Sequence, residues 1–345
     1  MRNLSMDLLR VMCCMFVVAI HVTPDYGNTV TNGYPLTTQI ESLLIQSIVR
    51  TGLPIFFILS GYFLLNRNGS ESVVKYFKRM ISIIIPFLIY AFPYYIVFYN
   101  GSFSATGILH FFTYIFDSST SLSSHFWFVY SILGIYIIYP AIKFVTDHIS
   151  EKQSLHVIIF LVLLIAYQAY FYQLGVFIPG FHNIIPIQNL DTWVIYFICG
   201  GMIKRVAHSD INLNLNWSIP LLIFAEILLV YFSVNKYNFN THPYDTNPVM
   251  LVLTLLITYL FPRLDNVSLP LRKIASLTSN YTYGLFLVHI LVLIKIKENI
   301  SPYFLNQHGI AMTCTMFILT LLISLIIAII IDNLLIKPIF RLLKI

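Results

Sequence analysis

Charge is what this 345-residue chain has least of. Asp, Glu, Lys and Arg together make up 10% of it, against 58% hydrophobic residues, whereas an ordinary soluble domain carries about 25% charged residues. With a mean hydropathy of +0.81, that scarcity excludes a soluble globular protein. It also excludes a nucleic-acid partner, since the net charge of +6 is not gathered into a basic tract. Cysteine is scarce too. Cys13, Cys14, Cys199 and Cys314 fall in apolar stretches without the paired spacing of a metal site or a disulfide framework, so neither is expected. Internal repeats and low-complexity tracts are absent as well, which weakens a reading as a transporter built from inverted repeats.

Long apolar runs are what the chain does have. A helix needs about 20 apolar residues to cross a bilayer, and about ten such spans are expected, near 6–24, 42–65, 80–100, 125–145, 154–174, 189–204, 216–234, 246–262, 279–297 and 311–336. The expected fold is therefore an all-α, polytopic, integral membrane protein: one membrane-embedded domain over residues 1–345, multi-pass in the lipid bilayer. Alternating sides from a cytoplasmic N-terminus puts most of the 20 lysines and arginines inside; only Lys236, Lys295 and Lys297 fall outside, and Arg50 lies within a span. That asymmetry places both termini in the cytoplasm. The start Met1-Arg2-Asn3 followed by an apolar run also suits a signal peptide. Asp7 and Arg10 interrupt its apolar core, however, and no small-residue cleavage site follows.

The stretch DLLRVMCCMFVVAIH, Asp7 to His21, carries the first candidate chemistry. Ionisable groups in a span face the protein interior or a wet cavity and have partners there. Asp7 and Arg10 stand three residues apart, a spacing at which helical side chains meet. Arg10 and His21 share one helix face about 16 Å apart along the axis. Without Arg10, His21 would read as an interfacial histidine. In the second span, QSIVRTGLPIFFILSGYFLL, Arg50 lies inside the membrane, Gly52 and Pro54 weaken the helix after it, and Ser60-Gly61 does so further on. The basic run after that span holds Lys75, Lys78 and Arg79, which set topology and could also meet phosphates. An outer segment, 101–125, has no Lys or Arg and suits an interfacial amphipathic helix. Trp127 belongs to an aromatic belt or faces a glycan. Glu226 is a second membrane-embedded carboxylate. Tyr283 and His289 share a late span, and the outer loops 175–189 and 235–245 are polar and aromatic.

Asp7-x-x-Arg10 followed by His21, then RTGLPIFFILSGYFL, HFWFVYSILGIYIIYP and SNYTYGLFLVH in that order, resembles the acyltransferase-3 family, and more closely its stand-alone surface-polysaccharide O-acetyltransferases. The resemblance implies a ten-helix core in a bacterial inner (plasma) membrane. Such a core moves an acyl group, usually acetyl, from cytoplasmic acetyl-CoA to a hydroxyl of a cell-surface or lipid-linked glycan, with glycan-assembly proteins as candidate partners. It further implies that His21 matches the essential histidine and Arg10 its paired arginine, and that Arg50, Ser60, Trp127, Tyr283 and His289 lie in the other matching motifs. The family's paired arginines before the third span are replaced here by KYFKRMISIIIP, where Lys78 and Arg79 stand in.

The chemistry fits these residue types. Acyl transfer from a thioester needs a base for the attacking hydroxyl and a donor for the oxyanion. A neutral imidazole serves as the base, or is itself acylated. Arginine stays charged and cannot be the base, so Arg10, oriented by Asp7, is read as a clamp and Arg50 as the oxyanion donor. A transporter or flippase for a lipid-linked glycan is the alternative function.

Overall fold

A computed structural model of the chain describes residues 4–67, 69, 72–171, 191–208, 217–237, 244–263, 268–300 and 309–345. The expected loop at 175–189, most of that at 235–245 and the start of the span expected at 189–204 lie outside the described residues. Helices run, in order, α1 Leu4–Val22, α2 Tyr26–Thr31, α3 Leu36–Val49, α4 Gly52–Leu64, α5 Val73–Phe98, α6 Ala105–Asp117, α7 Trp127–Asp147 and α8 Glu151–Ala166. They continue as α9 Thr192–His208, α10 Ser218–Tyr237, α11 Pro248–Leu260, α12 Leu269–Thr278, α13 Thr282–Asn299, α14 Ile310–Ile331 and α15 Lys337–Leu342. No strand occurs among the described residues, and the protein is an all-α polytopic membrane protein.

Among the described residues, eight helical stretches are long and apolar enough to cross a bilayer, from Leu4–Thr31 to Ile310–Leu342. The spans expected at 189–204 and 246–262 correspond to the shorter α9 and α11. A helix of α9's 17 residues is about 26 Å long, short of the roughly 30 Å hydrocarbon core. Local signals start several helices. Ser72 caps α5 by accepting from the Lys75 N–H at 3.3 Å, Ser150 and Gln153 form a reciprocal capping box on α8, and Asn247 caps α11 ahead of Pro248. The helix expected in segment 101–125 is α6.

The chain divides into two compact units, Met1–Arg67 with Ala141–Ser276, and Asn68–Pro140 with Leu277–Ile345. In the first unit α4 is the central element, packed on α1, α9 and α11. Glycines set how close it comes. A Cβ built on Gly61 would lie 1.7 Å from the Phe197 carbonyl oxygen, and one on Gly200 would lie 2.0 Å from the Ile58 carbonyl oxygen. One on Gly52 would meet Phe16 Cβ at 2.7 Å. Between membrane helices lipid is as apolar as leucine, so association rests on such close packing. Ser60-Gly61 therefore does not break the helix. α4 is continuous from Gly52 to Leu64, and the glycine admits α9.

The helix break after Arg50 is present: α3 ends at Val49 and α4 begins at Gly52. The second unit packs α13 against α14 and α5. Two of its buried tyrosines find partners inside: Tyr90 Oη donates to Asp332 Oδ1 at 2.8 Å. Tyr94 Oη donates to the Leu287 carbonyl at 3.0 Å and accepts from the Leu291 N–H at 3.0 Å.

Gly200→Val must push α9 from α4, and overpacking of this kind costs roughly 1–3 kcal/mol or more. Gly134, with nothing within 4 Å of a built Cβ, is the matched control. Thermal unfolding in detergent is expected to show a lowered Tm for Gly200→Val and for Gly61→Val, and none of that loss for Gly134→Val.

Candidate functional site

α1 is unbroken, so the face predicted for Arg10 and His21 persists through it. Arg10 Nη1 lies 3.3 Å from Asp7 Oδ1, with the carboxylate side chain 6% exposed and the guanidinium side chain 35% exposed. This pair forms at the predicted spacing. It does not reach His21, which sits half-buried in the last turn of α1, about 16 Å further along the axis.

The cation at the His21 end is Arg50. Its Nη2 lies 3.2 Å from Asp25 Oδ2, and its Nε donates to Gln46 Oε1 at 2.9 Å. Its guanidinium also stands 4.6 Å from the centre of the Tyr244 ring, a cation–π contact. Gln46 is wholly buried. Its amide nitrogen donates to the carbonyls of Ile20 at 3.1 Å, Thr23 at 3.0 Å and Pro24 at 3.4 Å. These carbonyls bracket His21, so one glutamine ties the turn carrying the imidazole to Arg50. Arg50 closes α3 in helical dihedrals with its N–H on the Gln46 carbonyl, so its side chain stays on the Gln46 face of that helix and reaches Asp25 beyond the end of α1.

A third tie comes from the segment before α11. Asn247 Nδ2 donates to the Tyr244 carbonyl at 3.1 Å and lies 3.0 Å from each Glu226 carboxylate oxygen. Its Oδ1 accepts from the Met250 N–H at 2.7 Å. Glu226, fully buried, thus holds the segment that presents Tyr244 to Arg50. Burial raises the Tyr244 phenol above its ordinary pKa, with the Arg50 charge opposing that rise, so the ring faces Arg50 as a neutral phenol. Ser60 is not drawn into this cluster: its hydroxyl donates to the Phe56 carbonyl of its own helix at 3.0 Å.

The remaining expected residues belong to the second unit and are described within it. His289 Nδ1 contacts the Phe286 carbonyl at 2.5 Å. A carbonyl only accepts, so Nδ1 carries the proton, and a neutral His289 keeps its lone pair on Nε2. His125, which motif reading passed over, lies with its ring 5.1 Å from that of His289. Its Nε2 donates to the Leu287 carbonyl at 3.3 Å, and its Nδ1 accepts from the Ser123 hydroxyl at 2.8 Å. Tyr283 Oη donates to the Ile83 carbonyl at 3.0 Å, tying α13 to α5. Trp127 opens α7, half-buried. Of the basic run, Lys75 is exposed, Lys78 donates to the Lys344 carbonyl, and Arg79 lies 5.5 Å from the Tyr139 ring.

Gln46, Asp25 and Tyr244 were not found by sequence reasoning. Asp25 in particular sits in polar surroundings beyond the span, where a carboxylate draws no notice. Gln46→Leu leaves a nearly isosteric side chain that can neither donate to the three carbonyls nor accept from Arg50. Each buried polar group so orphaned costs about 1–3 kcal/mol. The expected outcome is a lowered Tm, with Gln46→Glu losing the donated bonds but keeping the Arg50 contact and falling between wild type and Gln46→Leu.

The model of an acyltransferase domain matches residues 3–329. A protein of Enterococcus faecalis named amino-acid racemase is 23% identical over 329 residues; the match covers 87% of this chain and 42% of that protein. The chain therefore spans less than half the length of that relative. No solved structure matches the chain.

Proposed function

Since the chain belongs to the acyltransferase-3 family and is a membrane acyltransferase, we propose that it takes an acetyl group from cytoplasmic acetyl-CoA and esterifies a hydroxyl of a surface or lipid-linked glycan in a bacterial inner membrane. The observation that carries this reading is the Gln46 clamp. It holds the turn that carries His21 and the Arg50 guanidinium at the same end of α1, and a base together with an oxyanion donor is what thioester acyl transfer requires.

In the proposed step His21 takes the proton of the acceptor hydroxyl as its oxygen attacks the thioester carbonyl carbon. Arg50, oriented by Asp25 and Gln46, stabilises the oxyanion. The carbon–sulfur bond then breaks, and His21 returns the proton to the leaving thiolate. Arg10 with Asp7 acts nearer the other end of α1 as a clamp for the donor, with Lys75, Lys78 and Arg79 as further phosphate contacts. Trp127, Tyr283, His289 and Ser60 serve the acceptor. The distribution of Lys and Arg supports cytoplasmic termini, which put the Arg10 end of α1 on the donor side and the His21 end on the acceptor side.

The test uses purified protein, acetyl-CoA and native glycan, following thiol release and acceptor mass. His21→Ala is expected to abolish transfer while remaining inserted and folded, since the span becomes more apolar. Arg10→Lys is expected to be severely impaired because it loses the planar fork, and Asp7→Asn less so. Wild type that exports the glycan without acylating it, with export lost in His21→Ala, would make it a transporter.

Orientation is checked separately. Cysteine introduced at Ser119 is expected to react with an impermeant thiol reagent from outside, and cysteine at Ser72 is not. The reversed pattern would overturn the direction of transfer.

A further inference from the structure

Half-buried lysines among the described residues are matched, with one exception. Among the described residues Lys78 donates to the Lys344 carbonyl, Lys143 pairs with Asp147 at 2.8 Å, and Lys337 donates to Tyr281 Oη at 3.1 Å and Asn333 Oδ1 at 2.7 Å. Lys204, half-buried on α9, has among the described residues only the face of the Tyr62 ring, 5.0 Å from its ammonium.

Its neighbour Arg205 makes the contrast plain. That guanidinium donates to Asn66 Oδ1 at 3.0 Å and to the carbonyls of Thr146 at 2.6 Å and Ile149 at 2.8 Å, and it lies 3.9 Å from Asp147. Arg205 is a structural tie. Among the described residues Lys204 has no such employment, and a partly desolvated ammonium without a counter-charge is costly.

Other cations gather around it within the first unit. Tyr62 and Phe63 are neighbouring rings 5.3 Å apart; Lys204 stands over the first and Arg10 lies 5.9 Å from the second. Arg263 donates to the Ala207 carbonyl, one turn along α9 from Lys204, at 3.1 Å, and to the Tyr259 carbonyl at 2.8 Å. It is exposed and has no carboxylate partner among the described residues. The turn that carries it, Phe261–Arg263, packs against α1. Asp7 pairs with Arg10, while Lys204 and Arg263 have no carboxylate partner among the described residues, so their donors remain able to meet an anion.

We propose that Lys204 and Arg263, beside Arg10, form a phosphate-binding site that takes the nucleotide phosphates of the acyl donor. The proposal rests on the acyl-transfer reading for the identity of the donor, and it adds to the phosphate contacts a second set of residues that the basic run after α4 does not contain. A phosphate entering between the two side chains supplies the counter-charge that no described residue gives Lys204 and can accept charge-assisted hydrogen bonds from both.

The experiment measures binding of coenzyme A itself, which carries no acyl group and cannot turn over, to the full chain in nanodiscs of zwitterionic lipid. Wild type is compared with Lys204→Gln/Arg263→Gln, with single Lys204→Gln in case the double variant folds poorly, and with Lys152→Gln as an exposed control. Expected is a loss of affinity of about tenfold or more in the double variant, a smaller loss in the single one and none in the control. Pantetheine, which lacks the nucleotide, is expected to bind wild type and double variant alike.

Affinity for coenzyme A within twofold of wild type in a folded double variant would overturn the site, as would wild type that does not bind coenzyme A. Unchanged coenzyme A binding together with a lost thermal stabilisation by phosphatidylglycerol would reassign the cations to a lipid headgroup. If the variants weaken coenzyme A binding but wild type transfers no acyl group, the phosphate site stands and the acyl-transfer reading falls.

Discussion

A guanidinium set between apolar helices has to be answered by other groups, and the answer given to Arg50 shapes the first unit. A charge at the centre of a span costs roughly 2.5–3.5 kcal/mol on insertion scales, so the chain converges on it from several places. α3 stops one residue before it, and Gln46 reaches it from the preceding turn. Asp25 arrives from beyond α1, and Tyr244 comes from a segment that Asn247 and Glu226 hold. Hydrogen bonds joined in this way polarise one another. The end of α1, and His21 with it, is located by the same glutamine that neutralises no charge but spans both sides.

Close approach of backbones is the second requirement, and small residues meet it. Gly61 and Gly200 let α4 and α9 touch carbonyl to Cα, which rigidifies the helix that carries Tyr62 and Phe63. In the second unit Gly284 does comparable work. A Cβ there would lie 2.4 Å from Tyr90 Oη and 3.0 Å from Asp332 Oδ1, so the absence of a side chain leaves room for the Tyr90–Asp332 hydrogen bond. Asp332 opens a π-helical turn, Asp332–Ile336, a local widening of the kind that recurs at functional positions. The Tyr90–Asp332 hydrogen bond thus depends on a glycine, and a span has no water to replace it.

Much of this was open to reading along the chain. Hydropathy located the spans, and the Asp7–Arg10 pair followed from a spacing of three on a helix. The break at Arg50 followed from Gly52 and Pro54 close after it. Ser60-Gly61, expected to weaken its helix, proved to be a contact with α9, because a glycine read in isolation looks the same whether it bends a helix or admits a neighbour. His125 and Gln46 escaped notice for a related reason: neither is charged or placed at a telling interval from another candidate.

By itself the sequence determined the all-helical membrane fold, the identity of the charged groups within it and the pair that lies one helical turn apart. Each of these depends on hydrophobicity or spacing within about one span, and a helix makes such local relations predictable. Only the tertiary structure decided that Arg50 belongs to Asp25 and Tyr244, that Gln46 carries the His21 turn, and that Arg205 is fully engaged while Lys204 beside it is not. Those outcomes depend on which backbone carbonyls and rings of distant segments come within about 3–5 Å. Polar side chains in hydrocarbon take whatever partner lies within that reach, and the reach is set by how the helices pack.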